Sequence, residues 1–199
     1  QLNSKRQMQT SRRTFIKTLG PLVTIPCILP SCIGSTKVNS RLTMGFIGIG
    51  IQARYLMSRF ARDVQILAVC DVDQTRLKNA KQWVDTFYTE NPEFGSAGCS
   101  TFSDYRELLE RDDIDAVCIA TPDHWHSFIV ELALEKGKDV YCEKPLTHNI
   151  QEAIDLMDAV KKNRGVLQTG SMQRSSKEFR VASELVRNGC IGDIKNVEV

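Results

Sequence analysis

The sequence has no cysteine pair spaced C-x-x-C, although it holds seven cysteines in 199 residues. Cys27, Cys32, Cys70, Cys99, Cys118, Cys142 and Cys190 are scattered and odd in number, which argues against a zinc knuckle or a disulfide framework. A membrane-spanning apolar run is also missing. The stretch Thr18 to Pro30 is modestly apolar, but it is short and interrupted by Gly20, Pro21 and Pro26. Histidine is scarce, with His124, His126 and His148 the whole set. Acid is absent from the first 41 residues, which carry Lys5, Arg6, Arg12, Arg13, Lys17, Lys37 and Arg41. The other 19 of the 26 basic residues therefore stand against all 24 acidic ones, so the body of the chain is net acidic. An acidic body lacks the electrostatic footprint of a nucleic-acid binder. Apolar content of 42% and charged content of 25% are ordinary for a globular chain, and the length suits one domain, or one domain plus a piece of another.

What is present centres on residues 42–54. A short apolar run leads into Gly48-Ile49-Gly50-Ile51-Gln52-Ala53, the G-x-G-x-x-[G/A] pattern of a dinucleotide-binding turn. Gly48 permits the tight strand-to-helix turn, Gly50 lets backbone approach a pyrophosphate, and Ala53 is small enough for close helix–strand packing. The helix that follows would place Ala53, Leu56, Met57 and Phe60 on one face and aim its unpaired N–H groups at phosphates.

Beyond the turn the chain alternates strand and helix. Strands are expected near 42–48, 64–70, 100–102, 115–120, 139–142 and 166–169, with helices between them. This period predicts an α/β fold, a doubly wound parallel (Rossmann) sheet with ligands at the carboxyl ends of its strands. Asp71 closes the second strand about 20 residues past the glycines, where a carboxylate accepts hydrogen bonds from the adenosine ribose. Val72, not arginine, follows it, which favours NAD over NADP; Arg76, one turn later, weakens that preference. Asp73 is the better-placed cap of the next helix. That helix should bury Leu77, Ala80, Val84 and Phe87. Tyr88 to Cys99 reads as a long polar loop, Ser103 as a cap, and Tyr105, Leu108 and Leu109 as inward-facing. A helix from about Asp123 would bury Trp125, Ile129, Leu132 and Ala133 and end at Gly137. Asn149 and Glu152 form a capping box. Past Gly170 the pattern changes, to an amphipathic helix over 176–188 closed by Gly189 and then a strand opening at Gly192. These residues, 171–199, read as the incomplete beginning of a second, α+β domain.

The carboxyl ends of the last three strands carry Thr121-Pro122-Asp123-His124-Trp125-His126, Glu143-Lys144-Pro145 and Gly170-Ser171-Met172-Gln173-Arg174. Together with the glycine turn, the A-T-P-x-x-x-H run at Ala120–His126 and the E-K-P run resemble the Gfo/Idh/MocA family, the glucose–fructose oxidoreductase and inositol dehydrogenase relatives. The resemblance spans residues 42–199. It implies hydride transfer between a sugar or cyclitol hydroxyl and a nicotinamide. It also implies an α+β C-terminal domain that holds most of the small-molecule substrate, builds a homo-oligomer and supplies the catalytic base beyond residue 199. Lys144 matches the family's active-site lysine, whose ammonium can hydrogen-bond the reacting oxygen and stabilise alkoxide character. Pro145 holds Lys144 extended. Thr121, Pro122, His126 and Glu143 would contact the cofactor. Plainer alternatives are a surface lysine paired with Glu143, solvent-facing rings for His124 and His126, and simple packing for Trp125. A metal pair of His124 and His126 is disfavoured because i, i+2 positions on a helix splay apart.

The same residues serve two other functions: an exported glycosidase that uses tightly bound NAD in a transient oxidation and elimination, and a non-catalytic NAD-binding protein. Ser11-Arg12-Arg13-Thr14-Phe15-Ile16-Lys17 resembles the twin-arginine export motif, so residues 1–40 are expected to be a signal and linker and the protein periplasmic. Leu29-Pro30-Ser31-Cys32 resembles a lipobox with Cys32 as the lipidated residue; ordinary cleavage between Ser31 and Ser40 is the alternative.

Overall fold

The computed structural model describes residues 41–198, so the export motif, the Cys32 motif and the linker lie outside the described residues. Six strands form one parallel sheet: β1 (Thr43–Ile47), β2 (Gln65–Cys70), β3 (Ser100–Phe102), β4 (Ala116–Ile119), β5 (Asp139–Glu143) and β6 (Leu167–Gly170). Their spatial order is β3-β2-β1-β4-β5-β6. The order reverses between β1 and β4, and this switch point opens a crevice at the strands' carboxyl ends.

Among the described residues six α-helices accompany the strands: α1 (Ile51–Phe60), α2 (Gln74–Glu90), α3 (Tyr105–Leu109), α4 (His126–Glu135), α5 (Ile150–Asn163) and α6 (Lys177–Arg187). Alternation along β1 divides the core between the sheet's two faces. Met44 and Phe46 join Leu56, Met57, Val84 and Tyr88 on one side, while Ile47 joins Leu108, Ile119, Ile129 and Val130 on the other. β4 is buried at every position, as a continuously apolar parallel strand covered on both faces should be. Burying a side chain such as fully enclosed Phe46 stabilises the fold by roughly 1.5–3 kcal/mol.

Local signals place most element ends. The Asp73 carboxylate accepts from the Thr75 and Arg76 amides and caps α2. The Asn149 side chain accepts from the Glu152 amide at the start of α5. α4 ends at Glu135, and the chain turns away at Gly137, whose φ of +72° permits the Gly137 amide to donate to Leu134 O and the Lys138 amide to Ala133 O.

Four expectations need correction. α2 runs on to Glu90 and buries Tyr88 rather than Phe87, because the Tyr88 hydroxyl donates to Val64 O (3.0 Å) and accepts from the Ile66 amide (2.8 Å). The loop therefore begins at Asn91, and it is held by side chains: Gln65 exchanges two bonds with Ser96, and Asp85 accepts from the Gly98 and Cys99 amides. Asp104, not Ser103, caps α3. The segment from Asp123 opens as a 3₁₀ turn over Asp123–Trp125 before α4 begins. Its tighter winding shifts the phase of the helix, which buries Ile129, Val130, Ala133 and Leu134 and leaves Trp125 partly exposed. Finally, residues 192–198 form no strand. A strand exists only as a hydrogen-bonded ladder, and among the described residues none pairs with them. α6 forms as expected, capped by Ser176, but it buries none of its residues. Among the described residues no helix is long and apolar enough to cross a membrane.

Candidate active site

The glycine turn sits at the switch point, and its two glycines are needed for different reasons. Gly48 has φ of +83°, and a Cβ built there would stand 2.8 Å from both Ala120 O and Thr121 N. It lets the end of β1 lie against the end of β4, while its amide donates to Cys70 O at 2.8 Å. Gly50 has an ordinary φ of −76° and precedes α1 without a side-chain cap. A Cβ there would meet nothing within 4 Å, so the helix N-terminus opens directly onto the crevice. Ala53 is fully buried, where only a small side chain fits between helix and sheet.

Asp71 ends β2 and is only 8% exposed. One carboxylate oxygen accepts from the Ile49 amide inside the glycine turn (2.6 Å), and the other accepts from the Asp73 amide (2.9 Å). The carboxylate thus braces the turn, and each oxygen keeps lone-pair capacity for a ribose hydroxyl. The Arg76 guanidinium stands 3.8 Å away on the rim. Around this point a cavity of ≈ 570 Å³ extends along Gly48, Gly50, Asp71, Thr121 and Pro122. Its far wall is aromatic: the Tyr105 and Trp125 rings meet edge to face at 6.3 Å, with the Arg106 guanidinium 4.9 Å from the Tyr105 ring centre. Trp125, expected to pack, does pack against Tyr105, and it also lines this wall. Cys70 borders the same cavity but is 3% exposed, and burial, then Asp104 and Asp71, push its thiol up to about 12. It is an inert wall element, not a nucleophile.

A second cavity of ≈ 450 Å³ shares Ala120 and Thr121 with the first and continues toward β5 and β6. Lys144 lines it and is exposed. The Lys144–Pro145 peptide is cis. Glu143 is 6% exposed; its carboxylate accepts from the Gln52 side chain at 2.9 Å and lies so close to Gly170 that a Cβ there would come within 2.8 Å of it. No ion pair joins Glu143 to Lys144 among the described residues, so the plain reading of Lys144 as half of a surface pair does not hold. Of the two neighbouring histidines, His124 faces solvent but His126 is 1% exposed. The His126 ring nitrogens stand 2.9 Å from Thr121 O and 2.7 Å from Pro145 O. Among the described residues no group of three or more histidine, cysteine or carboxylate side chains is gathered to hold a metal ion.

The residues present fit a dinucleotide. Gly50 offers backbone with no Cβ at an uncapped helix N-terminus, the arrangement that receives a pyrophosphate. The Thr121 hydroxyl, where the two cavities meet, is buried without a hydrogen-bond partner, which is costly unless a bound molecule supplies one.

Comparison with known proteins agrees with this geometry. Residues 42–171 match the profile of the Gfo/Idh/MocA family, an oxidoreductase family with an NAD-binding Rossmann fold. The chain is 30% identical to the uncharacterized oxidoreductase YrbE of Bacillus subtilis over 78% of its own length and 42% of that protein's. It is 31% identical to a glycosyl hydrolase family 109 protein of Shewanella sp. over 78% of its length and 34% of that protein's. Among solved structures, scyllo-inositol dehydrogenase from Lactobacillus casei, with bound NAD(H) and scyllo-inositol, superposes with a TM-score of 0.66 at 26% identity, covering 77% of this chain and 43% of that one. The chain spans less than half the length of each of these proteins. A glycine turn braced by Asp71, a crevice at the β1/β4 switch point and a match over most of the sheet lead to one assignment: the chain belongs to the Gfo/Idh/MocA oxidoreductase family and carries its NAD-binding Rossmann domain.

Proposed function

We propose that the protein transfers hydride between a hydroxyl-bearing carbon of a sugar or cyclitol and NAD. The observation that carries this reading is the position of Lys144. It stands on the same cavity wall as Thr121 and Glu143, on the β5 side of the cavity shared with the glycine turn. NAD bound along the turn would supply the hydride acceptor. The chain's own groups would then act at the substrate. The Lys144 ammonium hydrogen-bonds the reacting oxygen and stabilises the negative charge that grows on it as the C–H bond breaks. The Thr121 hydroxyl and the Gly50 backbone hold the cofactor. Glu143, fixed by Gln52 and Gly170, offers its remaining lone pairs to a ribose hydroxyl. The proton leaving the substrate hydroxyl needs a base. His126 is enclosed and its two nitrogens face carbonyl oxygens, so it is not placed to be that base, and the proposal assigns the base to the substrate domain that the family resemblance implies. A substrate domain following residue 170, oligomer formation through it, export by the twin-arginine route and lipidation at Cys32 belong to the same proposal.

The similarity to family 109 glycosyl hydrolase proteins favours a second reading on the same residues. Here hydride would pass from a sugar carbon to NAD, a base would take the proton of the adjacent carbon as the aglycone leaves as its alcohol, water would add to the resulting enone, and the hydride would be returned to the ketone, with Lys144 stabilising the transient charge on its oxygen.

One experiment separates the two. The protein, with any bound dinucleotide retained, is offered free cyclitols and sugars in parallel with aryl glycosides, while nicotinamide absorbance and aglycone release are followed together. NADH accumulation that is lost in Lys144→Ala supports the dehydrogenase. Aglycone release without net NADH, also lost in Lys144→Ala, supports the glycosidase. Either activity surviving Lys144→Ala unchanged refutes the role given to Lys144.

A further inference from the structure

His126 opens α4 from inside the protein. Its ring is 1% exposed and lies between two backbone carbonyls, Nε2 2.9 Å from Thr121 O and Nδ1 2.7 Å from Pro145 O. Those carbonyls belong to different loops. Thr121 lies in the loop that leaves β4 and carries the unpartnered hydroxyl. Pro145 follows Lys144 in the loop that leaves β5. The β4–β5 ladder does not extend this far: the two strands pair from Ala116↔Asp139 to Ile119↔Cys142. The imidazole takes over where the ladder stops.

We propose that His126 is a positioning residue for the cofactor and for Lys144, a strut that fixes the spacing of the β4 and β5 loops, and not a ligand of the cofactor. The inference rests on the reading that the crevice holds NAD with Lys144 at its reactive end. Both ring nitrogens face carbonyl oxygens, which only accept, so a neutral ring donates to one loop and abuts the other, and a doubly protonated ring donates to both. Two short contacts from one rigid, enclosed ring leave little freedom for either loop. Lys144, next to a carbonyl the ring holds, is thereby aimed at the cavity it shares with Thr121. The neighbouring His124, exposed and 6.5 Å in ring separation from His148, makes no such bridge.

His126→Phe keeps a flat ring of similar shape and removes both polar contacts, so it separates hydrogen bonding from packing. His126→Gln keeps one donor group. The parent and both variants are compared by hydrogen–deuterium exchange, by their affinities for ADP-ribose and NADH, and by hydride transfer. In His126→Phe, residues 121–125 and 143–147 should exchange faster together, while the glycine turn at 48–52 is unchanged. ADP-ribose affinity should stay within about twofold, and turnover should fall about tenfold to a hundredfold, the range expected when a reacting group is displaced by about 1 Å. His126→Gln should recover part of the loss. If only one loop responds, or if turnover and the NADH to ADP-ribose affinity ratio stay within about twofold of the parent, the strut is refuted and the ring is packing alone. If the parent itself binds no NADH, the proposed function fails, and the exchange comparison still decides the strut.

Discussion

The two glycines of the turn should fail in opposite ways when each is replaced by alanine. At Gly48 the backbone has φ of +83°, where an L-residue costs roughly 1–2 kcal/mol. The new methyl would also stand 2.8 Å from Ala120 O and Thr121 N, both backbone atoms of an adjacent strand end that cannot swing aside. Overpacking of this kind adds about 1–3 kcal/mol, for a total loss of about 2–5 kcal/mol from a domain whose whole stability is about 5–15 kcal/mol. At Gly50 none of this applies. Its φ is −76°, a Cβ meets nothing within 4 Å, and the modest penalty of alanine at a helix cap is offset by reduced freedom of the unfolded chain. Stability should stay within about 1 kcal/mol. The methyl would project where backbone must meet the pyrophosphate, and NAD affinity should fall about tenfold or more, equivalent to about 1.4 kcal/mol. Urea unfolding followed by circular dichroism gives the first quantity and calorimetric titration with NAD the second. A Gly48→Ala protein as stable as the parent would refute the packing argument. A Gly50→Ala protein that binds NAD as tightly as the parent would refute the placement of the pyrophosphate.

Three further outcomes follow from the same geometry. Tyr88→Phe should lose about 1–3 kcal/mol in urea unfolding, because the buried Ile66 amide and Val64 carbonyl lose their shared partner; unchanged stability would show that other groups or water replace it. Amide bonds, from Arg76 then Thr75 at Asp73 and from Arg106 at Asp104, hold these carboxyls below their ordinary value of 3.8, and the Arg111 side chain does the same for Asp113. Their folded values are lowered, so the stability they contribute is present above 3.8 and is lost as pH falls through the lowered folded values. Unfolding free energy should decline on acidification from about pH 4, less steeply in an Asp73→Asn, Asp104→Asn double variant, and an equal slope in both would contradict the assignment. Burial pushes the Cys99 and Cys142 thiols up to about 12, whereas Cys190 is exposed. Iodoacetamide on the native protein should therefore label Cys190 first among the described cysteines, which peptide mass spectrometry reads directly, and equal labelling of Cys142 would mean the strand opens.

The sheet was legible because its signals are local and periodic. Short apolar runs at the right spacing, Asp73 and Asn149 as caps and Gly137 as a stop leave little freedom for another arrangement. The positions of Gly48, Gly50, Ala53, Asp71 and Lys144 followed from motif and order along the chain. What escaped depends on contacts distant in sequence. Nothing in the pattern distinguishes Tyr88, which bonds to the start of β2, from Phe87 beside it. The 3₁₀ turn at Asp123–Trp125 winds more tightly than the α4 helix it precedes, and it leaves Trp125 on the cavity wall and His126 buried. The strand expected after Gly192 had the right composition, but composition does not supply a ladder partner.

The polar side chains at the strand ends fall into two groups by what holds them. Asp71 braces the glycine turn through the Ile49 amide, Gln52 ties α1 to Glu143 on β5, and His126 joins the loops after β4 and β5. All but the His126–Thr121 contact join residues 19 or more apart in sequence, and together they fix the loops that a parallel sheet leaves unpaired at its carboxyl edge. The remaining groups, the Thr121 hydroxyl, the Gly50 cap and the Lys144 ammonium, have no such internal partner among the described residues, and their residues line the cavities. Binding energy is most useful where the protein need not rearrange to deliver it, because ordering costs are then met on folding and not on association. The division of labour therefore predicts where substitutions will act. Changes to Asp71, Gln52 or His126 should disturb several crevice contacts at once, while changes to Thr121 or Lys144 should remove one interaction and leave the others in register.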